Sequence, residues 1–336
     1  MCPHAILAEA GSPASMDSLI SQEVPVAVSN PARAMASPSR SARRFRVNPA
    51  YIFLLPYMAA MLLFSLGPAI YSLLLTFATF QAGRPQFFQA GLKNIETVFK
   101  DPFLWPSFLN VLRFLVVSIP AGLIFVVLLA LLLHARPNRF SLVMRTIYFL
   151  PGAVTGPALV MLFLFTFNPD LSVFRPVLHL LGFTDIKQVV NNDTAPVVFT
   201  IMGFFGGAGG WIAVFYGALQ GISDEIIEAA IMDGCNPIQL AWLIKRPLIS
   251  RYIAFMLINV LAGNVQLFAE PQLMSGVTAT ISNLWSPNLV SYNWAFGLGN
   301  FGASAVISVM MMAIGIVLAY SVIRATNFYS TDTTAG

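Results

Sequence analysis

The stretch that decides the fold of this chain reads VLRFLVVSIPAGLIFVVLLALLL, from Val111 to Leu133. It holds a single charged residue, Arg113, within 23 positions. A helix needs roughly 20 mostly apolar residues to cross the hydrocarbon core of a bilayer. Lipid offers no hydrogen-bond partner to a backbone, so such a stretch has to satisfy its peptide groups within a helix. It therefore predicts a membrane-spanning α-helix.

Five further apolar blocks lie on either side of this stretch. Of all residues, 57% are hydrophobic and 10% are charged, whereas about a quarter of the residues in a soluble domain are charged. The composition and the blocks predict an all-α integral membrane protein with about six transmembrane helices. These helices are predicted at Ile52–Phe77, Val111–Leu133, Thr146–Phe167, Pro196–Leu219, Tyr252–Ala269 and Ala303–Ile323.

The segments outside these blocks have a different composition. Residues 1–48 are rich in Ser, Pro and Ala and have no periodicity, which predicts a disordered tail. The membrane domain then covers residues 49–326, and a short tail covers 327–336. Asn283–Asn300 is aromatic and polar. We interpret it as a loop or interfacial segment, and an extra helix there is the alternative.

The basic residues predict the orientation of the spans. Six spans place 12 of the 18 Lys and Arg residues on the side of the N-terminal tail, the second and fourth connections and the C-terminus. The opposite side holds 5, and Arg113 lies at a boundary. Because Lys and Arg accumulate in cytoplasmic loops, both termini are predicted to be cytoplasmic. Membrane topology thus accounts for the net charge of +4, and no nucleic-acid partner is predicted.

The fourth connection reads QGISDEIIEAAIMDGCNPIQLAWLIKRP, residues 220–247. Ser223 is a candidate N-cap, and two acidic residues follow it where a helix N-terminus favours negative charge. Gly234 is suited to ending this helix in a left-handed conformation. A second short helix is predicted from Pro237 to Pro247. The pattern indicates a helix–turn–helix bracket at about 221–248, although an ordinary amphipathic loop helix on the membrane would also explain it.

The amino-acid sequence of the bracket resembles the EAA motif of ABC importer permeases. That pattern runs Glu-Ala-Ala, two residues, Asp-Gly, nine residues, Ile, two residues, Pro, and every position matches. Four neighbouring positions depart from common family residues: Ser223 for Pro, Cys235 for Ala, Ala241 for an aromatic residue and Arg246 for Leu. The residues to which the resemblance gives contact with an ATPase are Glu228, Ala229, Ala230, Asp233, Gly234, Ile244 and Pro247.

Other stretches resemble the binding-protein-dependent sugar permeases, the maltose-permease-like branch that also includes glycerol-3-phosphate importers. They are Pro56, Pro68–Tyr71, Gly91–Asn94, Asp101–Trp105, Arg145–Pro151, Phe167–Pro169, Gln266–Phe268 and Leu273–Gly276. Together with the bracket they extend over nearly all of the chain after its tail. The resemblance implies the type I ABC importer permease fold, in the inner membrane of a prokaryote.

In that family two permease subunits form the pore, two cytoplasmic ATPase subunits drive it, and an external solute-binding protein delivers the substrate. The resemblance therefore implies these partners for this chain, and the second permease is expected to be a different chain. The sequence has no Gly-x-x-x-x-Gly-Lys-Ser/Thr loop of the kind that cradles ATP phosphates. We expect no catalytic residue, metal site or cofactor here, and we assign ATP and Mg²⁺ to the partner ATPase.

Polar residues inside spans are costly and often functional. Asn259, Asn264 and Gln266 are candidate substrate contacts, because amides suit hydroxyl-rich ligands. The resemblance places Asn264 and Gln266 where similar sugar permeases carry polar residues that face substrate. Hydrogen bonding between helices is the alternative. Trp211 and Tyr216 are candidates for stacking on a sugar ring, with packing or interface anchoring as the alternative.

The leading interpretation is the permease subunit of a carbohydrate importer, with glycerol-3-phosphate or another polar solute as the alternative. The cluster Gly206, Gly207, Gly209 and Gly210 predicts close helix packing or, alternatively, substrate passage. An ion-coupled transporter would need buried ionisable residues and repeated halves. A membrane enzyme would need a catalytic pattern such as His-Glu-x-x-His or Gly-x-Ser-x-Gly, and the sequence contains neither.

Overall fold

The computed structural model describes residues 49–81, 83–154 and 156–326, and both predicted tails lie outside these residues. Within the described residues the regular secondary structure is helical, apart from one antiparallel hairpin of two strands. The helices and strands are α1 Pro49–Met61, α2 Gly67–Leu75, β1 Thr79–Gln81, β2 Arg84–Gln86, α3 Lys93–Phe99, α4 Leu104–Ala135, α5 Arg139–Phe149, α6 Gly156–Phe167, α7 Arg175–Leu180, α8 Ile186–Val189, α9 Ala195–Gln220, α10 Asp224–Met232, α11 Pro237–Gln239, α12 Arg246–Leu248, α13 Ser250–Val265, α14 Ala269–Thr278, α15 Pro287–Tyr292 and α16 Phe301–Ala325.

Four of the six predicted spans are uninterrupted helical segments that are long and apolar enough to cross a bilayer. They are Phe53–Leu75, Leu104–Ala135, Ala195–Gln220 and Phe301–Ala325. Of the described residues, those up to Ser65 form one unit and those from Leu66 onward form another. Within the first unit, side chains such as Phe53 and Leu55 are exposed, as expected for a helix whose surroundings are lipid.

The third predicted span, Thr146–Phe167, is interrupted, whereas the fifth, Tyr252–Ala269, follows a bend and ends early. A 3-10 turn at Leu150–Ala153 separates α5 from α6, because Pro151 cannot continue an α-helical hydrogen-bond ladder. α13 ends at Val265, short of the predicted Ala269, and is bent by 68° against the preceding helical segment Pro237–Leu248. If each broken pair counts as one span, the described chain has up to six.

Two π-helical turns precede prolines at the same distance. The turn Leu62–Leu66 ends two residues before Pro68, and the turn Leu240–Lys245 ends two residues before Pro247. A proline ring clashes with the carbonyl one turn earlier and offers no N–H to it. The wider turn relieves that clash, which explains why both helices continue past their proline.

The segment Asn283–Asn300 contains the short helix α15 followed by a π turn at Asn293–Gly297. Its residues Leu289 and Val290 are buried, and it packs against α16 and α4. The segment therefore contains an extra helix, which was the alternative interpretation. This helix packs into the bundle and is too short to span the membrane.

The connections 76–103, 168–194 and 266–300 meet at one end of the bundle, which we call the loop end. The indole N–H of Trp294 donates to Asp101 at 2.7 Å. The backbone N–H of Ser282 donates to the side chain of Asn192 at 2.9 Å, and the Thr280 hydroxyl donates to the Val190 carbonyl at 2.6 Å. The third of these connections thus bonds to both of the others. The opposite end, which holds the bracket, is the bracket end.

Glycines bring α9 close to its neighbours. A Cβ added to Gly209 would lie 2.2 Å from the Tyr148 carbonyl oxygen, and one added to Gly206 would lie 2.7 Å from Leu159. Nothing lies within 4 Å of a Cβ at Gly207 or Gly210. Gly206 and Gly209 therefore allow close helix packing, as one of the two interpretations of the cluster predicted.

Candidate functional site

The first helix of the bracket is α10, and it ends as its sequence predicts. Gly234 adopts φ +82°. Its N–H donates to the Ile231 carbonyl at 2.9 Å, and the Cys235 N–H donates to the Ala230 carbonyl at 3.1 Å. These two bonds form a Schellman cap, which needs a left-handed residue at this position. Ser223 occupies the N-cap position, but its side chain accepts no backbone hydrogen bond there.

The second half of the bracket begins at a reciprocal cap. The Asn236 side chain accepts from the Gln239 N–H at 2.8 Å, and the Gln239 side chain accepts from the Asn236 N–H at 2.9 Å. Pro237 follows in the first turn, where its missing N–H costs nothing. The helix runs through the π turn and continues to Leu248, one residue beyond the predicted end at Pro247. Local hydrogen bonds thus fix both the end of the first helix of the bracket and the start of the second.

The bracket presents an apolar surface with acidic groups beside it. The exposed fractions are 87% for Met232, 71% for Ile238 and 58% for Leu243. Glu228 is also exposed, and the one ion pair within the described residues involves other side chains. An exposed apolar patch rimmed by polar groups is typical of a protein interaction site. Of the predicted coupling residues, Ala230 is buried and Ile244 is half-buried, while the other five, Glu228, Ala229, Asp233, Gly234 and Pro247, are exposed.

A polar contact ties the bracket to the spans. The Nζ atom of Lys245 lies 3.1 Å from Nδ1 of His134, in the last turn of α4. Beside this pair, the Arg145 guanidinium lies 3.8 Å from the centre of the Tyr216 ring, and the His134 ring packs edge-on against the same tyrosine. Tyr216 is buried in this cluster at the bracket end. The structure therefore places it apart from the other candidate substrate residues.

A cavity of about 260 Å³ lies between α4, α9 and α13. Its wall is apolar and glycine-rich, and the residues that line it include no ionisable side chain. The lining residues are Phe114, Ser118, Gly122, Val126, Phe199, Thr200, Gly203, Phe204, Gly207, Ala208, Trp211, Met256, Asn259, Val260, Gly263 and Asn264. We call this space the central cavity.

Three of the five candidate substrate residues converge on the central cavity. The Asn264 amide donates to the Ser118 hydroxyl at 3.0 Å. The Asn259 amide donates to its own helix, at 2.8 Å from the Phe255 carbonyl. Trp211 supplies an aromatic face, steadied by edge contact with Phe255 at 5.8 Å. The cavity thus offers amides and one indole within an otherwise apolar wall.

Gln266 lies in a second groove, of about 480 Å³, between α13, α15 and α16. Its amide donates to the Ala262 carbonyl at 3.2 Å, and its own backbone carbonyl accepts from the Asn288 amide at 2.9 Å. Ser308 adds a hydroxyl to the same groove. We call this the side groove. It begins within one helical turn of Gly263, which lines the central cavity.

Sequence reasoning missed the α4 side of the central cavity. Ser118 and Gly122 lie four residues apart, as do Gly203 and Gly207 on α9. Residues at this spacing share one helix face, so small residues in this pattern were the signal available. The alternative interpretation of the glycine cluster also holds in part, because Gly207 lines the cavity while Gly206 and Gly209 pack.

The sequence matches a known protein family and several known transport proteins. The profile of the family described as binding-protein-dependent transport system inner membrane component matches residues 118–327. The lactose transport system permease protein LacF of Rhizobium radiobacter is 29% identical over 294 residues, 85% of this chain and 97% of that protein. The sn-glycerol-3-phosphate transport system permease protein UgpA of Shigella flexneri is 29% identical over 227 residues, 66% of this chain and 74% of that protein.

Solved structures of the same fold are also similar. One is a chain of a bacterial alginate ABC transporter, in complex with a periplasmic protein bound to an alginate pentasaccharide. The TM-score is 0.72 at 18% sequence identity, over 82% of this chain and 93% of that one. At this identity the likeness shows the fold.

Proposed function

Because this chain belongs to the family of binding-protein-dependent transport system inner membrane components, we propose that the solute it carries is a carbohydrate. The chain is a multi-pass membrane subunit of an ABC importer, and it works with a solute-binding protein. The observation that carries the proposal is the chemistry of the central cavity. Amides of Asn259 and Asn264 and the indole of Trp211 line it, and no ionisable side chain does. Neutral amides match sugar hydroxyls, whereas a phosphate ester would call for a basic group.

The proposal extends to the remaining subunits. A cavity of about 260 Å³ is below the roughly 300–1,000 Å³ of typical ligand sites. A second permease would supply the missing wall, and the resemblance to sugar permeases favours a different chain in that role. The exposed apolar surface of the bracket fits a groove on a cytoplasmic ATPase, to which we assign ATP and Mg²⁺. The bracket end and both termini are then cytoplasmic, in the cell membrane of a prokaryote.

The test begins with purification in a mild detergent and identification of the subunits that co-purify. The assembled complex, with its solute-binding protein, is then assayed for uptake of labelled lactose, arabinotriose and glycerol 3-phosphate. We expect import of at least one of the two sugars, driven by ATP and inhibited by vanadate. Import that collapses with the proton gradient and ignores vanadate would contradict the proposal, and so would import of glycerol 3-phosphate without either sugar.

A further inference from the structure

Five aromatic rings form a continuous row at the loop end, beyond the side groove. They belong to Phe268, Tyr292, Phe296, Phe301 and Phe80, and we call them the aromatic shelf. Successive ring centres lie 5.6 Å, 4.8 Å, 6.2 Å and 5.3 Å apart. The middle of the row is open, since Phe296 is 70% exposed and Tyr292 is 45% exposed.

Each ring of the shelf is held by a different local element. Tyr292 ends α15 and Phe296 lies in the π turn that follows it. The spacing of four residues keeps both rings on one face, at an interplanar angle of 38°. The π turn is anchored from below, because the Trp294 indole donates to Asp101 at 2.7 Å. The two exposed rings are therefore presented by a fixed backbone.

Polar groups continue the same face toward the central cavity. Asn288 precedes Tyr292 by four residues, and its amide bonds to the Gln266 backbone at 2.9 Å. In the described chain no donor reaches Oε1 of Gln266, and Ser308 lies across the groove. Lipid would leave such groups unsatisfied at a cost, so we exclude the hydrocarbon as the occupant of this face. Along α13, Gln266 is followed inward by Gly263 and Asn259, which are exposed and line the cavity.

This arrangement suits one class of ligand. A sugar ring presents an apolar face of C–H groups and an edge of hydroxyls, so it stacks on an aromatic ring while amides bond to its rim. Resting on the proposed function, we propose that the aromatic shelf and the side groove form an outer saccharide subsite. It would receive a sugar ring at the loop end and pass it along α13 to the central cavity.

The test replaces the two exposed rings in the assembled complex. Tyr292→Ala and Phe296→Ala should each raise the KM for lactose or arabinotriose uptake about 3- to 10-fold, by loss of ring stacking. Tyr292→Phe and Phe296→Trp should keep the KM near that of the wild type. Phe165→Ala is the matched control, because Phe165 is 60% exposed on α6 and lines neither cavity nor groove.

Leucine variants separate stacking from apolar packing. If Tyr292→Leu and Phe296→Leu transport like the wild type, bulk alone suffices, the rings pack against a subunit or lipid, and the subsite is overturned. Loss of the second permease from the purified Ala variants would overturn it in the same way. A wild-type complex that imports glycerol 3-phosphate and neither sugar also overturns it. Sugar import that is unchanged in the Ala variants removes the subsite and leaves the proposed function intact.

Discussion

Gly234 connects a backbone conformation to the surface that we propose an ATPase contacts. Its φ of +82° closes the cap of α10, and nothing in the described chain lies within 4 Å of a Cβ placed there. The demand for glycine at this position is therefore conformational rather than steric. A residue with a Cβ in this region costs roughly 1–3 kcal/mol, and a β-branched one is least suited to it.

We expect Gly234→Val to abolish uptake and weaken co-purification of the ATPase while membrane insertion stays normal. The strain distorts the turn that sets the angle between α10 and the second half of the bracket. Gly234→Asn is the matched variant, since asparagine tolerates the left-handed region, and it should retain most of the uptake. Glu228→Gln should be milder than Gly234→Val and act on coupling, because the side chain keeps its shape. Normal uptake by Gly234→Val would identify the bracket as an ordinary loop element.

Asn264 has a structural partner that allows its two roles to be separated. Its amide bonds to the Ser118 hydroxyl at 3.0 Å inside the central cavity. Asn264→Leu should lower the uptake rate several-fold to a hundred-fold, since a lost buried hydrogen bond is worth about 1–3 kcal/mol. Ser118→Ala removes the helix-to-helix bond and keeps the amide, so it should transport nearly normally. Equal loss in both variants, measured as uptake per assembled complex, would assign Asn264 to packing alone.

At the scale of helices, α9 offers two adjacent glycines with opposite surroundings. A Cβ at Gly209 would meet the backbone of α5 at 2.2 Å, whereas Gly210 has open space. Gly209→Ala should push the helices apart and lower the midpoint of thermal unfolding in detergent. Gly210→Ala should leave that midpoint unchanged or slightly higher, because alanine favours a helix by up to about 1 kcal/mol. A tolerated Gly209→Ala would show that α5 can move away freely.

The elements that sequence reasoning found are those whose signal is local. Long apolar blocks predict helices because lipid permits little else, and Gly234 and Asn236 cap their helices through neighbours in sequence. The breaks were harder to place. Pro151 interrupts a span while Pro247 only widens a turn, and which of these happens depends on how the surrounding helices accommodate the ring.

The candidate site was predictable in its residue types and only partly in its geometry. Asn264 and Gln266 are two residues apart on α13 and its end, and the sequence treats them alike. The structure separates them, because residues at that spacing do not share a helix face. Asn264 therefore faces α4 and Gln266 faces α15 and α16. Tyr216 was misleading for another reason, since its neighbours His134 and Arg145 are distant in sequence.

For the whole molecule, the 12 to 5 distribution of basic residues predicts the orientation in the membrane. In a background with both cysteines replaced by serine, we expect Gln188→Cys at the loop end to react with an impermeant maleimide in intact cells. Ile238→Cys, 71% exposed on the bracket, should react only after the membrane is opened. The reverse pattern would place the bracket outside and exclude contact with a cytoplasmic ATPase.

We expect ATP hydrolysis to require the assembled complex and not this chain alone. Since the sequence has no phosphate-binding loop, the purified chain alone should hydrolyse no ATP above background. Adding the separate ATPase subunit should produce hydrolysis that solute-loaded binding protein stimulates. A catalytic variant of that ATPase is the control, and sustained turnover by the isolated permease chain would contradict the assignment.

The π turn at Leu240–Lys245 has a consequence for the direction in which the bracket points. In it the Arg246 N–H reaches back five residues to the Ala241 carbonyl, so the turn holds one residue more than an α-helix needs. Deleting one residue here would restore a regular α-helical turn ahead of Pro247. The proline ring would then clash with the carbonyl one turn earlier and kink the helix. The kink would turn Ile238 and the rest of the contact surface away from the ATPase that we propose as its partner. The bracket is thus set by angle as much as by reach, and substitutions within this turn should be better tolerated than a single-residue deletion.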